Sequence, residues 1–133
     1  MLARREHSRA ELARKLSGYS ESSEEINKLL DELTARGFLS DERYVEGKVN
    51  SRKSRYGSRR IAKELLGKGV DEALVSQALV PLKEEEKQTA KLIWERKFGT
   101  FPKDPKEKSK QIRFLLGRGF DFEVITFVLR EED

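Results

Sequence analysis

Few residues in this chain could perform covalent or acid–base chemistry. Acidic neighbours occur at Asp41-Glu42, Asp71-Glu72 and Glu84-Glu85-Glu86. Paired carboxylates can act as general acid and base, but each group falls where a helix is expected to begin, and there the helix dipole favours negative charge with no catalytic role. His7 is the single histidine and cysteine is absent. Ser-His-Asp triads and multi-histidine metal sites therefore depend on one side chain, and thiol catalysis or thiolate zinc on none. Among Arg4, Arg5 and Arg9, His7 reads as an exposed helix residue. Gly67 and Gly69, like Gly117 and Gly119, form a G-x-G but lack the later glycine or Gly-Lys-Ser/Thr of a phosphate loop, and no strand precedes them. The carboxylates are scattered, with no Asp-rich calcium loop. These residues predict no enzyme, no cofactor and no bound metal.

Binding chemistry is better represented. From Lys48 to Lys68 there are eight cations, Lys48, Arg52, Lys53, Arg55, Arg59, Arg60, Lys63 and Lys68, against one acid, Glu64. The local excess is +7, while the rest of the chain carries −3. A cationic strip on a nearly balanced body suits an anionic partner such as nucleic acid or an acidic protein groove. The alternative is that these residues only solvate helices. Ser58 to Leu79 also has the elements of a helix-turn-helix, whose second helix reads bases in the major groove. That helix, expected over 72–80, offers Glu72, Ala73, Ser76 and Gln77 and no Arg or Lys. Phosphate contacts through Arg52, Arg59, Arg60 and Lys63 fit better than base readout.

The elements that carry the strip repeat. Leu65-Leu66-Gly67-Lys68-Gly69-Val70-Asp71 recurs fifty positions later as Leu115-Leu116-Gly117-Arg118-Gly119-Phe120-Asp121. Downstream, Leu74, Val75, Ala78 and Leu79 answer to Val124, Ile125, Val128 and Leu129, and upstream the offset pairs Ser58 with Ser8 and Leu66 with Leu16. Each copy reads as helix, glycine turn, helix. Gly69 or Gly119 suits a left-handed residue that closes the first helix, and Asp71 or Asp121 caps the next. Val70 with Val75, and Phe120 with Ile125, stand at the positions of a hydrophobic staple. Ser8 with Glu11 and Ser22 with Glu25 fit a capping box, and Ser40 or Asp41 can cap a helix that carries Tyr44, Val45 and Val49. A further helix is expected from Lys83 to Phe98, ended by the loop with Pro102 and Pro105.

Helices thus group in threes, over 1–36, 37–80 and 81–133, the first helix of the first group being shortened to 1–7. No segment alternates with a strand's period. A unit of about 45 residues buries too little surface to be stable alone, so an all-α, elongated tandem array of three-helix, helix-turn-helix-like repeats is expected, with Trp94, Phe98, Phe101, Phe114, Phe120 and Phe127 in its core. Charged residues form 39% of the chain and hydrophobic ones 36%, which suits solvent-washed helices more than a thick interior. No apolar run approaches the ~20 residues of a membrane span. A soluble, cytoplasmic monomer is expected.

Four blocks, in order, resemble the signature blocks of the RecX family: Leu2 to Leu12, Gly37 to Tyr44, Tyr56 to Leu65, and Lys68-Gly69-Val70. The resemblance covers nearly the whole chain. It implies a crescent of three-helix repeats that binds in the groove of RecA filaments on DNA and suppresses strand exchange, ATP hydrolysis and co-protease activity, with weak DNA affinity of its own, to single or double strands, mostly through phosphates. It also marks Asp41, Tyr44, Gly57, Ile61, Leu65 and Gly69 as the family's recognisable positions. The chain begins almost directly at the first block, where members of that family often carry more, so a short or trimmed member is expected. The alternatives are a helix-turn-helix-like DNA binder acting without RecA and a helical interaction scaffold.

Overall fold

A computed structural model describes residues 6–19 and 22–130. Among them are seven α-helices and no strand: α1 (Arg9–Leu16), α2 (Ser23–Ala35), α3 (Asp41–Arg52), α4 (Ser58–Gly67), α5 (Glu72–Lys97), α6 (Pro105–Gly117) and α7 (Phe122–Leu129). The shortened first helix expected over 1–7 lies mostly outside the described residues. Glu6 and His7 are not helical, which corrects the reading of His7 as an exposed helix residue. It is half-buried, with Nε2 2.9 Å from Lys15 Nζ.

The helix starts follow the local chemistry. Ser8, Ser22 and Ser40 accept from the amides of Glu11, Glu25 and Arg43, and Asp71 and Asp121 accept from those of Ala73 and Val124. Each side chain satisfies a donor that the helix itself leaves free. Of the two candidates at α3, Ser40 is the cap, and Asp41 is used elsewhere. Gly69 and Gly119 have φ of 80° and 97°, the left-handed turn that a side chain resists. The staple residues Val70, Val75, Phe120 and Ile125 are all buried.

Three apolar clusters hold the helices. Ile26, Leu30 and Leu39 form the first. Tyr44, Val45, Ile61, Leu65, Val70 and Val75 belong to the second, which Leu79 and Leu82 complete. Trp94, Leu115, Phe120 and Ile125 anchor the third, with Phe98, Phe101, Phe114 and Phe127 packed against it. Small cores in series leave much surface in water: 9318 Å² is exposed, against about 7200 Å² for a compact globule of this mass.

The units are less separate than the sequence suggests. The helix expected to end at 80 and the one expected from Lys83 are a single helix, α5, which carries Pro81 in its interior. Proline removes one internal hydrogen bond, but Leu79 and Leu82 on either side are buried in the second cluster, and that packing keeps the helix intact. Leu39, beyond the expected boundary at 36, packs into the first cluster.

Candidate anion-binding interface

Part of the cationic strip, Arg55, Arg59, Arg60 and Lys63, sits where α4 meets the turn between α6 and α7. Gly57 permits that meeting: its amide donates to the Arg118 carbonyl at 2.7 Å, and the Arg59 amide donates to the Gly119 carbonyl at 3.1 Å. The same joint occurs one repeat earlier. Ser8 Oγ donates to the Lys68 carbonyl at 2.7 Å, and a Cβ on Gly69 would lie 2.3 Å from that of Ala10, just as one on Gly119 would lie 2.4 Å from that of Arg60. An acid from the following repeat caps each docked helix. Asp41 Oδ1 accepts from the Arg9 amide at 2.8 Å. Glu86 Oε1 accepts from the Ser58 amide at 2.7 Å and the Ser58 hydroxyl at 2.9 Å.

This packing divides the eight cations. Arg52 donates to Glu64 through Nε at 3.1 Å and Nη2 at 3.3 Å, and Lys48 Nζ lies 3.7 Å from the same carboxylate. The hydrogen bond from Arg52, reinforced by the Arg52 and Lys48 charges and opposed by partial burial, holds the Glu64 carboxyl below its ordinary range. The bond to Glu64 likewise raises Arg52 above its own. Lys68 reaches Glu11, itself buried, at 3.5 Å. These three are largely occupied within the fold.

Arg55, Arg59, Arg60, Lys63 and Lys53 stay exposed. The guanidinium of Arg60 lies 4.2 Å from the centre of the Tyr56 ring, that of Arg118 5.5 Å and that of Arg55 5.7 Å, within the range of cation–π attraction. Arg60 Nη1 also donates to the Gly117 carbonyl at 2.9 Å, and Arg118 Nη1 to the Arg55 carbonyl at 3.3 Å. The ring and carbonyls hold like charges together without neutralising them. Arg59, Arg60 and Lys63 then line one wall of a surface groove closed by Leu116, Gly117 and Gly119. Such a groove can seat phosphate or carboxylate oxygens. Arg118 was absent from the strip read in sequence; as the repeat counterpart of Lys68, it was there to be found.

The family-motif positions build the scaffold around this groove. Tyr44, Ile61 and Leu65 are core residues, Asp41 and Gly57 make the joints described above, and Gly69 forms the turn against Ala10. Of the helix that a base reader would present, Glu72, Ser76 and Gln77 are exposed, and none is cationic. No helix among the described residues is long and apolar enough to cross a membrane.

Comparison with known proteins places this architecture. The family model for the second three-helix domain of RecX matches residues 40–79, and that for the third matches 84–129. The chain belongs to the RecX family. A relative named regulatory protein RecX from Leptothrix cholodnii is 48% identical over 132 residues, covering 99% of this chain and 84% of the relative. Another of the same name from Ralstonia nicotianae is 41% identical, with 99% and 83% covered. The crystal structure of RecX from Lactobacillus salivarius superposes with a TM-score of 0.77 at 21% identity, covering 96% of this chain and 86% of that one, and at that identity it speaks for the RecX fold alone. Both matched domain models flank Pro81, so the family's domain division crosses the middle of α5.

Proposed function

We propose that this RecX-family chain is a cytoplasmic, non-enzymatic regulator that binds in the groove of the RecA–DNA filament and suppresses its recombinase, ATPase and co-protease activities. The relatives' name, regulatory protein, supports the regulatory part. The observation that carries the binding mode is the convergence of Arg55, Arg60 and Arg118, from two repeats, on Tyr56, beside the groove lined by Arg59 and Lys63. Guanidinium groups fixed at the surface suit phosphate oxygens and acidic protein edges, and their contacts confer affinity without reading sequence. Regulation would follow from occupancy and bridging of neighbouring subunits, with no bond made or broken by this protein.

The test is single-stranded-DNA-dependent ATP hydrolysis by RecA with and without the protein. Inhibition by the parent chain should weaken about tenfold in concentration when Arg59→Glu and Lys63→Glu are combined, because like charges then face each other across the contact. Arg60 is left in place because its side chain packs at Gly119. No inhibition by the parent rejects the function, and full inhibition by a folded double variant rejects the surface.

A further inference from the structure

Two surface grooves occupy the same place in two repeats. Ala62, Val75, Ser76 and Leu79 line the first, between α4 and α5. Ile112, Ile125, Thr126 and Leu129 line the second, between α6 and α7. Every pair is separated by the repeat offset of fifty, and every pair keeps its character: three apolar side chains and one small hydroxyl.

The rims are also alike, though not by residue correspondence. Arg59 and Lys83 flank the first groove, and Lys108 and Arg130 flank the second. Fifty positions from Arg59 stands Ser109, and fifty before Lys108 stands Ser58. The same sign of charge therefore comes from different positions, which the repeat register by itself does not explain. The first groove carries one acid, Glu72, where the second has Phe122, an exposed aromatic.

Repeat one differs. Arg9, the counterpart of Arg59, pairs with Asp31 at 2.8 Å and donates to the Asn27 carbonyl at 3.4 Å. Counted from the caps Ser22 and Asp71, Asn27 answers to Ser76. The first unit thus lays its own arginine across the place where the other two units are open.

We propose that the two open grooves are a matched pair of docking sites for two identical protein segments, each apolar on its inner face and acidic at its edges, displayed by neighbouring subunits of a filament. This rests on the reading that the partner is the RecA filament. Apolar floors select aliphatic side chains, which a phosphate backbone lacks, and cationic rims select carboxylates beside them. Two grooves related by the repeat of the chain suit a partner that itself repeats. Seating one segment raises the effective concentration of the next, so the pair binds far more tightly than either groove alone.

Ser76 and Thr126 are exposed, so Ser76→Glu and Thr126→Glu place a repelling charge in each groove without disturbing the core. Gln88→Glu, exposed and in neither groove, controls for net charge. Binding is measured by anisotropy of labelled protein, first on RecA filaments assembled on single-stranded DNA and then on unassembled RecA. On filaments each single variant should lose about 100-fold in affinity, while Gln88→Glu changes little. On unassembled RecA, where one segment meets one groove at a time, each single variant should lose only about half of the binding and the double variant nearly all. A parent that binds filaments while the single variants bind equally well, or lose the same factor on filaments and on free subunits, overturns the groove pair and leaves the proposed function standing. A parent that binds no filament overturns both.

Discussion

A Cβ on Gly57 would lie 2.4 Å from the carbonyl oxygen of Gly119 and 2.7 Å from Cδ1 of Phe120. The missing side chain lets α4 seat on the turn of the third repeat, where backbone hydrogen bonds from Gly57 and Arg59 fasten it. Gly57→Ala should therefore destabilise the protein by about 1–3 kcal/mol through overpacking, read as a lower urea midpoint. An unchanged midpoint would mean that the joint yields freely.

Glu86 should matter to stability although it is distant in sequence from the strip. Its buried carboxylate is the acceptor for both the amide and the hydroxyl of Ser58. Glu86→Ala leaves two donors in a buried joint and should cost roughly 2–4 kcal/mol. Glu86→Gln keeps one acceptor and should cost less. Equal losses for the two variants would show that volume, and not hydrogen bonding, is what the site requires.

The Arg52–Glu64 pair makes stability depend on pH with a definite sign. The folded-state value of Glu64 is depressed, chiefly by the hydrogen bond from Arg52. Its contribution is thus complete above the unfolded value of about 4.3 and is lost as pH falls through the lower folded value. Glu64→Gln should cost roughly 1 kcal/mol at neutral pH, the pair being partly exposed. The gap to the parent should close in acid. A gap that stays constant from neutral to acidic pH would contradict the assignment.

Members of the strip should differ in their salt dependence on single-stranded DNA. Lys63 is exposed at the groove, whereas Lys48 is engaged with Glu64. Lys63→Gln should lower the slope of log affinity against log salt by about 0.7, and Lys48→Gln should leave it nearly unchanged. Equal slopes for both variants would mean that the strip acts as a diffuse charge.

Sequence by itself determined the all-helical class, the repeat, its glycine turns and most of the helix caps. Ser8, Ser22, Ser40, Asp71 and Asp121 cap amides two or three residues away, and Gly69 and Gly119 turn the chain where they stand. Such interactions close within one helical turn, so neighbouring letters suffice to read them. Tertiary structure alone decided which cations remain available. Lys48 and Arg52 meet Glu64, Lys68 meets Glu11, and Arg118 arrives beside Tyr56 from the next repeat. It also decided that α5 runs through Pro81, because burial of Leu79 and Leu82 outweighs the local preference to stop. Charge pairing and burial depend on separation in space, and the stacking of repeats sets that separation independently of distance along the chain.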